Sequence, residues 1–374
     1  MKIAVYAIAL NEEKFAKRFV ESAKDADLIQ VADTGSTDKT VSILEGLGTQ
    51  VRHIRIKPWR FDDARNAALA LLPDDVDICV SLDLDTVLSP GWRAALEAAW
   101  TGEANRAYYS EIWGRHPDGR PRRFLNNRIH ARFGARWKGP CHECVVADRI
   151  PEKAVVVPDL FIEQFADPDK SRAQYLPLLE LAAKEAPHEP RQAHYFGREL
   201  FFHHRYREAI AEFNRYLALP GGAHFASERN GTLRFLAQCH EALGEGEEAL
   251  KWFRTAVEEA PGLRGPWVDL AWAYYQREAW APCWEAALKA IAIPIGSAEY
   301  GEESNSGVTP EDMACICGWR LGHRRAALEY GRKALELAPG VERLRANVAK
   351  MEAALGVAVG APDSFGQTMA AVGQ

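Results

Sequence analysis

Two aspartates, Asp83 and Asp85, stand one residue apart at the end of Ile78-Cys-Val-Ser-Leu-Asp-Leu-Asp-Thr86. The residues before them are apolar or small, as in a buried strand, so the carboxylates emerge where that strand stops. In open α/β sheets ligands bind at the carboxyl ends of strands. A hard divalent cation takes oxygen ligands and is commonly shared between one or two carboxylates and substrate phosphates, which suits the pair to a metal-bound phosphate compound such as a nucleotide. Taken alone, the Asp-x-Asp spacing also fits two solvated acids at a strand end, and the surrounding elements have to decide.

Lys2 to Leu10 reads as a strand, and Asn11 to Ser22 as a helix whose Phe15, Phe19 and Val20 share one face. Leu28 to Asp33 is a second strand, ending at Asp33 and the turn Thr34-Gly35-Ser36. Thr37 and Asp38 can cap the helix that follows through Val41, Ile43 and Leu44. Val51 to Ile56 supplies a third strand, Phe61 to Leu72 a helix and Ile78 to Leu84 a fourth strand. This alternation predicts a parallel sheet with right-handed crossovers.

Four segments in order, Ala9-Leu10-Asn11-Glu12-Glu13, Val31-Ala-Asp-Thr-Gly-Ser-Thr-Asp38, Trp59-Arg-Phe-Asp-Asp-Ala-Arg-Asn66 and Leu82-Asp-Leu-Asp85, resemble the family 2 glycosyltransferases. Their nucleotide-diphosphosugar-binding domain has the GT-A fold, a Rossmann-like α/β architecture, and the likeness runs to about Phe165. It implies that Asp33 holds the nucleotide's base or ribose, Asp83 the ribose, and Asp85, with Asp83 beside it, a manganese or magnesium ion on the diphosphate. A UDP-sugar is the favoured donor. Ala9, Leu10, Asn11, Glu13, Arg65, Asn66 and Leu84 are implied to line the donor pocket. The chemistry agrees, because negative charge grows on the departing diphosphate and a cation on Asp85 stabilises it as Lewis acid and template. Arg65 either adds positive charge there or pairs with Asp62 or Asp63 across its helix. Inversion at the anomeric carbon follows from the resemblance alone.

The attacking acceptor needs a general base within hydrogen-bond reach. Trp137-Lys-Gly-Pro-Cys-His-Glu-Cys-Val145 offers an imidazole and a carboxylate together, and in the resembled family a His-Glu pair at this place belongs to the acceptor side. His142 and Glu143 are therefore the candidate catalytic residues. Glu143 is favoured as the base, against a structural pairing with one of the nearby arginines. Related chains complete the metal site with a histidine in an Ile-x-His segment, and here the matching segment is Phe161-Ile-Glu-Gln-Phe165, so Gln164 takes that position. Glutamine offers a carbonyl oxygen to a hard cation but is a poorer ligand than imidazole for softer metals. A weakly held metal and a changed or lost activity both stay open. Cys141 and Cys144 also have the spacing of half a zinc site, which requires a second pair. Cys315 and Cys317 have the wrong spacing, and seven cysteines without a framework suit a reducing cytoplasm.

Beyond residue 168 the character changes. Pro187, Pro220, Pro261, Pro294 and Pro339 each close an apolar, alanine-rich run, at separations of 33, 41, 33 and 45 residues. Two separations fit a 34-residue repeat, and the excess in the others falls around Gly221 to Ser227 and Ile295 to Pro310. Ala249 and Ala256 ahead of Pro261 correspond to Ala327 and Ala334 ahead of Pro339, small residues that let paired helices approach closely. The segment resembles tetratricopeptide repeats, an all-α solenoid whose concave face generally receives peptides or proteins. Tryptophans 252, 267, 272, 280 and 284 either line that face or, more commonly at helical spacing, form core. The expected organisation is a GT-A domain over 1–168, a tetratricopeptide-like repeat domain over 169–355 and a mobile tail over 356–374.

Between Arg106 and Lys138 nine basic residues face only Glu111 and Asp118. Such a run attracts an anionic acceptor, a phosphorylated glycan, a lipid-linked phosphate or nucleic acid, unless the arginines pair with acids elsewhere. Nucleic acid ranks last because aromatic interleaving is sparse. With 374 residues, 47% hydrophobic content and a net charge of −6, a two-domain soluble chain is expected. No apolar run approaches a membrane span, and no secretory signal is visible, so a cytoplasmic location is expected. A peptide or protein acceptor is the leading expectation, with dimerisation or docking to another enzyme as further roles for the repeats. The rival readings are an inactive scaffold acting through its repeats and, behind it, a nucleotidyltransferase, which would want a glycine-rich basic loop where Asn11-Glu12-Glu13 stands.

Overall fold

The computed structural model describes residues 1–115, 121–168, 172–223, 226–294 and 308–357. Most of the long connection before Pro310 and the segment expected as a tail beyond residue 357 lie outside the described residues. The chain forms two compact units, Met1–Gly222 and Ala223–Gln374.

The first unit begins as the sequence alternation requires: β1 (Ile3–Ala9), α1 (Glu13–Ala23), β2 (Leu28–Asp33), α2 (Thr40–Gly46), β3 (Gln50–His53), α3 (Phe61–Ala70) and β4 (Ile78–Leu82). β1 lies between β2 and β4, parallel to both, and β3 is parallel to β2. Residue alternation along β1 divides the core between the two sheet faces. Ile3, Val5, Ala7 and Ala9 join Phe15, Phe19 and Leu44, while Ala4 and Tyr6 join Ala68, Leu69 and Leu72.

The expectation of a parallel sheet is correct for these four strands, and beyond them the sheet is mixed. After β5 (Thr86–Leu88) and α4 (Trp92–Ala99) come β6 (Arg106–Arg115), β7 (Pro121–Ala131), β8 (Ala135–Lys138), β9 (Cys144–Ala147) and β10 (Ala154–Gln164). The eight-stranded order is β3-β2-β1-β4-β7-β6-β10-β5, with β7 antiparallel to β4 and β6, and β5 antiparallel to β10. The few residues between β6 and β7 cannot make a crossover, so these arms pair as a hairpin. The basic run lies largely on this half of the sheet and is broken up by ion pairs: Arg106 with Glu152, Arg115 with Glu163, Arg128 with Asp83, Arg132 with Asp74 and Arg136 with Asp148.

β8 and β9 form a separate two-stranded ribbon. It is pinned to the sheet by a buried chain of hydrogen bonds, in which Trp137 Nε1 donates to the Tyr6 hydroxyl at 2.7 Å and that hydroxyl meets His130 Nε2 at 2.9 Å. His130 Nδ1 lies 2.8 Å from the Ala131 carbonyl, which can only accept, so the imidazole carries its proton on Nδ1 and accepts from Tyr6.

Three helices, α5 (Tyr175–Glu185), α6 (Pro190–Phe202) and α7 (Tyr206–Ala218), complete the first unit. The sequence division at 168/169 marks where strands give way to helices; as packed, α5, α6 and α7 belong with the sheet. The second unit continues with α8 (Ala226–Ala242), α9 (Gly246–Glu259), α10 (Arg264–Gln276), α11 (Trp280–Ala292), α12 (Thr309–Arg320), α13 (Arg324–Leu337) and α14 (Glu342–Leu355). α6 packs on α7, α8 on α9, α10 on α11 and α12 on α13, the helix pairs of a tetratricopeptide-like array. Pro187, Pro220, Pro261, Pro294 and Pro339 each stand two residues past the end of the second helix in a pair, or of α5. Proline has no N–H to continue a helix, which is why these positions punctuate the repeats.

Ala249, Ala256, Ala327 and Ala334 are all fully buried. Of the five tryptophans, 252, 267, 280 and 284 pack against the core, whereas Trp272 is 47% exposed and stacks on Tyr275. Gly318 on α12 faces Trp284 on α11 so closely that a Cβ there would lie 2.2 Å from the indole. Gly318→Ala is therefore expected to cost about 1–3 kcal/mol by overpacking, read as a lower melting midpoint of the second unit. An unchanged midpoint would show that the helix pair relaxes freely.

The seven cysteines are free thiols. Among the described residues no three His, Cys, Asp or Glu side chains converge as a metal site, and no helix is long and apolar enough to cross a membrane.

Candidate functional site

The strand order runs outward from β1 through β2 to β3 and then crosses back to β4 on the other side of β1, and the crevice beyond the carboxyl ends at such a reversal is where open α/β sheets bind ligands. Ala9, Asp33 and Leu82 end these three strands. Asp33 is buried and accepts hydrogen bonds from the backbone N–H groups of Gly35 at 3.1 Å and Ser36 at 3.2 Å, with His53 Nδ1 at 3.3 Å. The loop after β1 is locked to the loop after β2. Asn11 N donates to Ser36 Oγ and Asn11 Oδ1 accepts from Thr37 N, while Glu13 N donates to Asp38 and Glu13 Oε2 accepts from Lys39 N. Asn11 adopts φ 56°, a left-handed conformation that asparagine tolerates better than most residues. Ala9 is buried beneath this rim and Leu10 is exposed on it.

At the centre lies Arg65. It is buried and reaches two carboxylates, Asp83 Oδ1 from Nη2 at 2.5 Å and Glu143 Oε1 from Nε at 2.5 Å, with its guanidinium 4.8 Å from the Trp137 ring. Its pairing with Asp62 or Asp63 does not occur; Arg60 binds Asp62 instead. Arg128 Nη1 holds the other oxygen of Asp83 at 2.7 Å. These two guanidiniums hold the Asp83 carboxyl well below the usual carboxylate range, overcoming the opposing effect of burial. Asn66 lies one residue along α3, and both ends of its amide are taken by the backbone of Trp137, so it anchors β8.

Asp85 is buried beside Gln164, whose Nε2 donates to Asp85 Oδ2 at 3.2 Å. Leu84 between the two aspartates points into the core. Both Asp83 oxygens are engaged by arginines, so the oxygen donors offered to a hard cation are Asp85 and, after a half-turn of its amide, the Gln164 carbonyl. That set fits magnesium or manganese bound through one carboxylate and substrate phosphates, and does not fit a cage made by protein alone.

Glu111, Tyr109, Thr86 and Ser81 line a recess with Asp83 and Arg128. Burial raises the Glu111 carboxyl. Sequence reasoning missed Arg128 and Glu111 as site residues, since they reach the pocket only through the register of β6 and β7.

α3 supports the His142–Glu143 loop: Asp62 accepts from Gly139 N and the Pro140 carbonyl accepts from Phe61 N. His142 sits at φ 50°, stacked on Tyr195 at 4.2 Å and Tyr175 at 5.9 Å between ring centroids. Burial, together with Arg198, Arg191, Arg172 and Arg128, pushes its pKa down to about 3. Burial likewise pushes His130 down to about 4 and His194 well below its ordinary value. These imidazoles are neutral in the folded chain and protonated in the unfolded chain below pH ~6.5. The unfolded state then binds more protons, so the stability they leave intact above pH ~6.5 is lost progressively as pH falls towards each folded-state value. Each contributes a slope of up to about 1.4 kcal/mol per pH unit, measured as the urea midpoint of the first unit at pH 7 and pH 5. An equal midpoint at both would show that the rings charge without penalty.

Residues 5–147 match the family described as Glycosyl transferase family 2. The N-terminal region is a family 2 glycosyltransferase domain. Its residues contain every candidate named above except Gln164. An uncharacterized glycosyltransferase of Rickettsia bellii (strain RML369-C) is 30% identical over 162 residues, covering 40% of this chain and 53% of that protein, so the chain spans about half the length of the curated relative it matches. The helical region is similar to a thermophilic TPR protein of Thermus thermophilus (19% identity, 47% of this chain and 88% of that one, TM-score 0.34). It is also similar to MamA 41-end from Desulfovibrio magneticus RS-1 (21% identity, 43% and 82%, TM-score 0.35). The helix pairing, rather than these distant likenesses, defines the repeats. Within the matched region Arg65 joins Asp83, at the end of β4, to Glu143 in the loop after β8.

Proposed function

We propose that this protein moves a sugar from a nucleotide diphosphosugar, a UDP-sugar in the favoured reading, to an acceptor nucleophile, with inversion at the anomeric carbon. The observation that carries the reading is the buried Arg65 bridge, which ties Asp83 to Glu143 at the crevice beyond β1. It sets a donor-binding acid and an acceptor-side acid on one rigid guanidinium.

In this reading Asp33 and the locked loops after β1 and β2 hold the nucleoside, and Asp83 is kept ionised and oriented by Arg65 and Arg128 to accept from the ribose. Arg65 holds Glu143 Oε1, leaving Oε2 to take the proton of the attacking hydroxyl. The new bond forms from that oxygen to the anomeric carbon as the bond to the diphosphate breaks, and the electron pair leaves with the nucleoside diphosphate. A magnesium or manganese ion on Asp85 and Gln164 would supply positive charge to the diphosphate. His142, neutral and stacked, orients the loop that carries Glu143. For the helical repeats of the second unit the proposed partner is a peptide or protein, supported by the exposed Trp272 on Tyr275.

Thermal melting against a panel of nucleotide diphosphosugars, with and without manganese or magnesium, tests the reading. Donor at about 100 times its dissociation constant stabilises the native state by about 2.7 kcal/mol, a shift of several degrees. A shift with one donor supports the reading and names the sugar. No shift with any donor would favour a scaffold acting through its repeats.

A further inference from the structure

Two thiols that sugar transfer does not use face each other in the second unit. Cys283 stands in the first turn of α11 and Cys317 in the last turn of α12. α11 is the second helix of one pair and α12 the first of the next, so the thiols meet across the boundary between two repeats. Their sulfurs lie 3.0 Å apart, and both side chains are fully buried. Carbon atoms pack at ~3.5–4.0 Å and sulfur is the larger atom, so ordinary packing does not bring two sulfurs this close. The neighbours in sequence set the approach of the helices independently: Gly318, next to Cys317, has no Cβ and lets α12 close on Trp284, next to Cys283. Ala286, Ala287 and Ala314 join both thiols in one core cluster. Cys315, two residues before Cys317, meets the Met351 thioether instead, at 3.6 Å, and a thioether has no S–H to lose. Between Cys283 and Cys317 an S–H···S hydrogen bond favours a thiolate on Cys317 and draws its pKa below the ordinary value, against the effect of burial.

We propose that Cys283 and Cys317 are a site of reversible oxidation by a peroxide, whose product is a disulfide that staples one repeat of the second unit to the next. With hydrogen peroxide the Cys317 thiolate attacks one oxygen. The S–O bond forms as the O–O bond breaks, and the departing hydroxide takes the Cys317 proton to become water. The Cys283 thiolate then attacks the Cys317 sulfur, the S–S bond forms as the S–O bond breaks, and the second hydroxide leaves as water with the Cys283 proton. The two thiols give up two electrons and the peroxide takes them. Burial selects the oxidant, because a molecule little larger than water reaches the pair when the contact between α11 and α12 opens locally, whereas a bulky disulfide needs a wider opening. The second thiol in contact intercepts the sulfenic acid before it is oxidised further. In a repeat array stability is a sum of repeat and interface contributions, and a cross-link over a sequence separation of 34 strengthens the interface between repeats. None of this rests on the proposed sugar transfer.

The test treats the folded full chain with a small excess of hydrogen peroxide, alkylates the remaining thiols, digests without reductant and maps the peptides by mass spectrometry. The expected result is that the peptides carrying Cys283 and Cys317 are joined, with the loss of two hydrogens, and that dithiothreitol separates them. The melting midpoint of the second unit should rise by several degrees on oxidation and return on reduction. Cys283→Ala and Cys317→Ala should each abolish the joined peptide and the rise, while Cys315→Ala keeps both. The map of the unaltered chain decides the matter even where a variant fails to fold. Oxygen added at the exposed Cys144 or at methionine with no joined peptide overturns the site. So does sulfinic acid at Cys283 or Cys317 in place of the disulfide, or a joined peptide that forms only in urea. A complete cross-link that leaves the midpoint unchanged overturns the staple.

Discussion

Arg65→Met is expected to destabilise the first unit by about 3–5 kcal/mol and to abolish turnover. Methionine fills much of the same space but leaves two carboxylates without the guanidinium that both share, and removing one partner of a buried ion pair costs that much because the remaining charge stays in place. Arg128 still holds Asp83 in the variant, so Glu143 bears most of the loss. The pH dependence separates charge from packing. With both arginines present the Asp83 carboxyl is depressed, so its contribution is present above the ordinary carboxylate value of about 3.9 and is lost as pH falls through the lower folded-state value. The stability gap between the two proteins should therefore be widest near pH 7 and narrow in acid, below the ordinary carboxylate value, as Asp83 accepts a proton. Urea unfolding of both proteins at pH 7 and at about pH 3, below the ordinary carboxylate value, measures it, and the histidine contributions cancel in the difference. A gap that does not change with pH would mean that Arg65 acts by volume alone.

The second large effect is at Asp85. Asp85→Asn keeps the shape and can still accept from Gln164, yet removes the carboxylate charge that the proposed cation on the diphosphate would need. Loss of a charge-stabilising group at a developing anion typically costs about 10²–10³ in kcat. The variant should therefore melt like the unaltered protein, lose the metal dependence of any donor-induced shift, and turn over about 10²–10³ times more slowly. Normal turnover would remove Asp85 from the site. A loss of melting temperature without donor would instead mark it as structural.

Much of this arrangement was legible before any tertiary structure. Asp33 and Asp83 were readable as strand-end acids because β2 and β4 are mostly apolar runs, broken only by the buried Gln30 and Ser81, and the first charged residue marks where each run stops. The five prolines were readable as repeat punctuation because proline cannot continue a helix, and each falls two residues past a helix end. The second half of the sheet was not legible. β6 and β7 carry arginines, asparagines and aromatics whose outward faces are spent on ion pairs, so their strand period is masked by charge. With that register unread, Arg128 could not be placed on Asp83, from which it is 45 residues distant, nor Glu111 beside it.

The sequence by itself determined the local matters: which segments are strands or helices, where the acids end strands, and where small residues let helices pair. These follow from periodicity, from caps and from breakers, all of which act over a few residues. Only the tertiary structure decided which charges meet. Whether Arg65 would take Asp62, Asp63 or something else was open because helix neighbours compete with partners brought from elsewhere. Burial settles it, since a desolvated guanidinium requires carboxylates on more than one side and only the meeting of α3, β4 and the His142–Glu143 loop supplies them. The same holds for Tyr175 of α5 and Tyr195 of α6, which come to His142 because these two helices pack with the sheet-bearing unit.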